Sequence, residues 1–249
     1  MRRETLAVLL AIGFLLPSGC RQAPPKAQTV TIPVKVWVVF ASLPSESVGN
    51  VNNRGCRLSL AQMKQYIDNL NNNAHIYGYP VKFSPPLDGS GNPVLNIVMD
   101  PSIPIFGGNR RVEPANFFQN VVLAGNWNAG VFNLYFTGYV SPSFANVNGG
   151  TLDPQQNPLH HTFINDGGLN NPGSVVFVPS NHTLEHEVTH FLLRRDQQGP
   201  PYDASQHVPE GSQNILDQFA PSPLIIPRGP GSEQEEIRNR LRNGTFFSP

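Results

Sequence analysis

The sequence predicts an α+β fold: a mixed sheet, a long helix packed on it, and a second helix that carries histidines. Three observations predict it. Residues 30–40, "VTIPVKVWVVF", alternate and are rich in β-branched side chains, the period of a strand. Within 59–78, Leu60, Met63, Ile67 and Leu70 recur at helical spacing. Within 179–196, "PSNHTLEHEVTHFLLRRD", a helical pattern follows directly on a strand-like run, "SVVFVPS".

The elements follow in order. Ser59 is placed to cap the long helix and Gly78 lies just past its end, so one helix is expected over 59–78, with His75 on it. "YPVKFSPP" and "VLNIVMD" read as strands, and "PANFFQNVVLAGNW" as a second helix. Residues 130–140, "GVFNLYFTGYV", read as a strong strand. A long Gly/Asn/Pro loop is expected from 141 to about 173, with the adjacent pair His160 and His161 inside it. Ser180 or Asn181 is placed to cap the histidine helix, and His182 reads as a helix-start residue. In the tail, Ser232 and Glu235 have the spacing of a capping box, and a charged helix is expected to about Arg242, as an appendage to the core.

Composition narrows the function. A chain of 249 residues is long enough for one sizeable core without staples. Its formal net charge is zero, which gives no footing for nucleic acid as a partner. Residues 1–20, "MRRETLAVLLAIGFLLPSGC", have a basic start, a short apolar run and small residues before Cys20. The run is too short to serve as a permanent transmembrane helix. The ending resembles a bacterial lipoprotein signal, apart from Pro17 where an aliphatic residue is usual. That resemblance implies a lipidated Cys20, a membrane anchor, and a cell-envelope location facing the periplasm or the exterior; a plain secretory signal would give a secreted product. Residues 21–29 then form a Pro-containing linker. Cys56 becomes the one remaining thiol, expected as a small packed residue.

The chemistry lies in His186-Glu187-Val188-Thr189-His190. Residues four apart share a helix face, so His186 and His190 project together and can bind one metal ion. Glu187 sits about 100° around the axis, able to reach a water beside the metal but not to join the same ligand pair. Leu184, Val188, Phe191 and Leu192 form an apolar stripe roughly opposite the histidines. The bland readings are an exposed polar face, or one core histidine with bystanders. Chance alone would produce the pattern in about one chain in 150 of this composition.

The pattern resembles the HExxH zinc metallopeptidases, the zincins. The order of strand, long helix, strands and zinc helix is similar to the metzincin branch, over most of 30 to about 220. Metzincins continue as HExxHxxGxxH; here Leu193 replaces the Gly and Asp196 replaces the third His. Further on, "YDASQHVPEGSQNIL" is similar to bacterial relatives in which a later His precedes a Met-turn, with Leu216 in place of Met. On that resemblance His207 is the favoured third zinc ligand, ahead of Asp196 and then Asp203, and Tyr202 is the nearest side-chain donor for an oxyanion.

The resemblance implies a zinc metalloendopeptidase spanning 30–222, followed by the 223–249 tail, and the chain is expected to be a monomer. Zn2+ would be held by His186, His190 and His207, and Glu187 would be the general base for a zinc-bound water that attacks a peptide bond. The substrate, a peptide or protein, would lie extended along a sheet edge as an added strand, with the 141–173 loop shaping the cleft. The alternative is a degenerate cell-surface zinc-binding or interaction domain without peptidase activity.

Overall fold

The computed structural model describes residues 27–103, 114–138, 149–152, 161–165, 182–193, 226 and 228–247. Its centre is β1 (Val30–Ala41), twelve residues whose side chains serve both faces of the sheet. Ile32, Val34, Val36, Val38 and Phe40 point into the larger core, and Trp37, Val39 and Ala41 into a smaller one on the other face. A strand buried on both faces reads as a near-continuous apolar run, and this one does so from Val36 onward. Each fully buried Val, Ile or Phe contributes about 1.5–3 kcal/mol, enough to make β1 the anchor of both layers.

Three strands pair with β1, all parallel. On one side β2 (Val81–Ser84) pairs with its start and β3 (Leu95–Asp100) with its end. On the other side lies β4 (Phe132–Thr137), in register Val34 to Phe132. Beyond β4 come β6 (His161–Asn165), parallel to it, and β5 (Gly149–Leu152), antiparallel to β6 at the end of the sheet. Among the described residues the sheet has six strands and runs β2-β1-β4-β6-β5, with β3 also on β1. The result is a mixed α/β arrangement with a mostly parallel sheet, compatible with the expected α+β class.

Parallel neighbours need crossovers. The first is α1 (Leu60–Asn73), whose Ser59 cap is reciprocal: the Ser59 hydroxyl accepts from Gln62 N, and the Gln62 side chain accepts from Ser59 N at 2.8 Å. The expected single helix over 59–78 changes at Asn73 into a 3-10 turn, Ala74–Tyr77, closed by Gly78 in the left-handed region at φ 66°. The run Asn71-Asn72-Asn73 explains the change, since Asn propagates a helix poorly. Asn71 also works elsewhere: its amide exchanges two hydrogen bonds with the backbone of Phe83, at 2.9 and 2.8 Å, and so finishes the side of β2.

Three other expectations are corrected. The helix expected in "PANFFQNVVLAGNW" is a four-residue α2 (Pro114–Phe117) followed by a π-helical turn, Phe118–Val122. Its backbone serves to seat Phe117, Val121 and Val122 in the smaller core. The long loop expected from 141 contains β5 and β6; two glycines at the start of β5 and a histidine pair whose second member, His161, opens β6 hid the strand pattern. The tail helix α4 (Glu233–Asn243) is no appendage, because Ile237 and Leu241 are fully buried in the larger core beside Phe246. Ser232 caps α4 by accepting from Glu235 N, but Glu235 returns its carboxylate to Gly231 N rather than to Ser232. Cys56 is fully buried in the same core, as expected. The strand expected in "SVVFVPS" lies outside the described residues.

Candidate functional site

The histidine motif lies on α3 (Thr183–Leu193). His182 precedes it with φ 52°, in the left-handed region, and its carbonyl accepts from His186 N at 2.9 Å. His182 is therefore the helix-start residue that the sequence suggests. The expected apolar stripe is present: Leu184, Val188, Phe191 and Leu192 are in the larger core, and the Phe191 ring meets Phe132 of β4 at 4.8 Å.

The rest of the helix is buried too. His186 is 5% exposed, Glu187 2% and His190 0%. The motif is thus not a solvated polar face. Nor is it one packed histidine with bystanders, because both rings turn toward each other. Their Nε2 atoms lie 3.1 Å apart and their centroids 4.8 Å apart, at an interplanar angle of 68°.

Glu185 and Glu187 leave the helix in different directions and do different things. Glu185 faces α1: its Oε1 accepts from Asn73 Nδ2 at 2.7 Å and lies 3.7 Å from His182 Nδ1. Its carbonyl accepts from Thr189 Oγ1 at 2.8 Å and from the Tyr77 hydroxyl at 3.3 Å. Burial, and then the nearby Glu185 charge, push the Tyr77 phenol well above its ordinary range, so it stays a neutral donor. These bonds fix α3 against the end of α1 without using either histidine.

Glu187 faces the sheet end. Its Oε2 accepts from Thr151 Oγ1 of β5 at 2.9 Å. Thr151 is the register partner of Thr162 on β6, and their hydroxyl oxygens also lie 2.9 Å apart. Close approach of β5 to α3 requires Gly149: a Cβ there would come within 2.9 Å of Thr183 Cγ2 and 3.1 Å of Glu187 Cγ. Sequence reading missed Thr151 and Thr162, since both fell in the supposed loop. A Thr at the end of a Gly-Gly step carries no local sign that it meets a glutamate 36 positions on.

Among the described residues, His161 and His75 do not join the pair. His161 is the first residue of β6 rather than a loop residue, and is 1% exposed. It lies on the face opposite α3, against Phe117, Phe118 and Tyr135. His75 is exposed on the 3-10 turn. His160, Asp196, Tyr202, Asp203, His207 and Leu216 lie outside the described residues, as does Cys20. Among the described residues no group of three or more His, Cys, Asp or Glu could hold a metal. No helix among them is long and apolar enough to cross a membrane.

The donor pair itself fits zinc. Two imidazole nitrogens about 2.0–2.1 Å from one tetrahedral ion must lie about 3.3 Å apart. The observed 3.1 Å is within a few tenths of that separation. Comparison with known protein families and with curated proteins finds no match.

Proposed function

We propose that the chain is a zinc-dependent metallopeptidase that cleaves peptide bonds with Glu187 as general base. The convergence of His186 Nε2 and His190 Nε2 to 3.1 Å on one buried helix carries the reading. His186 and His190 would hold the ion, with His207 as third protein ligand and Asp196 or Asp203 as alternatives. When bound, zinc supplies Lewis acidity to the scissile carbonyl and lowers the pKa of water.

The remaining chemistry belongs to the chain. Glu187, one residue from His186, takes a proton from the attacking water and passes it to the leaving amine. Its burial keeps bulk water from competing for that proton, and the Asn73 contact from α1 holds the Glu185 carboxylate, the second of the helix, away from His186 and His190. The zincin resemblance agrees with two further features: among the described residues β5 lies at the end of the sheet, antiparallel to its neighbour, and it rests directly on the histidine helix through Gly149 and Thr151. An extended peptide added alongside β5 would bring its backbone to the motif. A lipid on Cys20 would hold the enzyme on the membrane facing the periplasm or the exterior; loss of membrane association in Cys20→Ser tests the anchor.

The test of the whole reading is metal content and turnover on the same preparations. The parent should carry close to one zinc per chain and degrade an unfolded casein substrate. Glu187→Gln should keep the zinc and lose about 10²–10⁴-fold in kcat, the range of a general base. A chain that takes up no added zinc, or a Glu187→Gln variant as active as the parent, overturns it and leaves the non-enzymatic binding domain.

A further inference from the structure

We infer that Thr151 is a positioning residue for Glu187, and that through it strand β5 sets the orientation of the base. The inference rests on the peptidase reading and adds a part that the motif does not contain.

Thr151 Oγ1 has three oxygen neighbours at 2.9 Å: Thr162 Oγ1, the Glu187 carbonyl and Glu187 Oε2. Thr151 has one hydroxyl proton to donate. The carbonyl and the carboxylate can only accept, so Thr162 is the neighbour that can donate to Thr151. The Thr151 proton then goes to Glu187, and an ionised carboxylate is a stronger acceptor than a carbonyl already placed within a helix. The polar chain runs Thr162 to Thr151 to Glu187 Oε2.

All three residues are at most 2% exposed, so the bond faces little competition from water and the two threonines polarise one another. The register makes the geometry reproducible: Thr151 and Thr162 are cross-strand partners on the face toward α3. One carboxylate oxygen is thereby tied to β5, which restricts the rotamers open to the glutamate. A base held in this way loses little freedom when it takes a proton.

The test uses the full chain loaded with zinc and an unfolded casein substrate, with kcat and KM referred to zinc-loaded protein. Thr151→Val keeps the shape and removes the hydroxyl; it should lower kcat by about ten- to a hundredfold and leave KM within about twofold. Thr151→Ser should restore most of the lost kcat, and Thr162→Val should cause a smaller loss. A merely structural contact would lower stability and leave kcat of the folded, zinc-loaded molecules unchanged. Unchanged kcat in Thr151→Val, beside a large loss in Glu187→Gln, overturns the positioning role alone. A parent without turnover, or an active Glu187→Gln, overturns the peptidase reading and this inference with it. If the valine variant does not fold, Thr151→Cys, a weaker donor of similar size, should give an intermediate kcat; a parent-like kcat there also overturns the inference.

Discussion

Gly149→Ala should damage the site by displacing β5 from its place between β6 and α3. A Cβ at this position would lie 2.9 Å from Thr183 Cγ2, 3.0 Å from the Phe163 carbonyl oxygen and 3.1 Å from Glu187 Cγ. The Thr183 methyl and the Glu187 stem can yield slightly. The Phe163 oxygen is backbone of β6, which pairs with both β4 and β5, and cannot. Ordinary carbon contacts begin near 3.5 Å, so the strand must give way by about 0.5 Å. Overpacking of this kind costs about 1–3 kcal/mol. In urea that is a midpoint shift of roughly 0.5–1 M for a domain of this size. The same displacement would stretch the 2.9 Å bond from Thr151 to Glu187 towards 3.4 Å, the edge of a useful hydrogen bond. Turnover should therefore fall by more than the loss of folded protein explains. Urea unfolding followed by far-UV circular dichroism, with kcat on the folded protein, reads both effects. An alanine variant with the parent's midpoint and the parent's kcat would refute the close approach on which this reasoning stands.

Three further outcomes are expected. His207→Ala should weaken zinc binding by orders of magnitude, as His190→Ala should, while Asp196→Ala stays within about tenfold; competition with a calibrated chelator ranks them, and the reverse order would make Asp196 the ligand. Asp100 is buried at the end of β3, its Oδ1 accepting from Ser102 N and Oγ at 2.8 and 2.6 Å and its Oδ2 unpartnered among the described residues. Burial raises its pKa above the unfolded value, so its contribution is most favourable below the unfolded pKa of about 3.9 and is lost as pH rises through the folded value. Asp100→Asn should accordingly gain stability relative to the parent as pH rises from about 4 to 7. A gap between the two melting temperatures that is constant with pH would contradict that sign. Leu241→Ala, 1% exposed on α4, should cost about 2–5 kcal/mol by leaving a cavity in the larger core; a loss under about 0.5 kcal/mol in urea unfolding would return the tail to an appendage.

Much of this molecule is local and was legible as pattern. The β-branched run of β1, the spacing on α1 with its Ser59 cap, and the apolar stripe opposite His186 and His190 all depend on residues within one or two turns or one strand of each other. The histidine pair belongs to this class: four-residue spacing on any helix brings the two rings to one side. Other features depend on partners that sequence distance conceals. β5 and β6 are too short and too polar to show a period, and exist because β4 offers an edge to pair with. The tail looks charged throughout, yet Ile237 and Leu241 find the core because α4 packs on α3 and on the 3-10 turn that follows α1.

The direction of Glu187 is the clearest case. By itself the sequence determined that a glutamate follows the first histidine and that a helix carries both. Only the tertiary structure decided that its carboxylate meets Thr151 while Glu185, two residues earlier, meets Asn73 and supports Tyr77. The physical reason is that a side chain's angle on a helix is set by the backbone, whereas its partner is set by whichever strand or helix packs at that angle. Here that is β5 on one side and α1 on the other, 36 and 112 positions away along the chain.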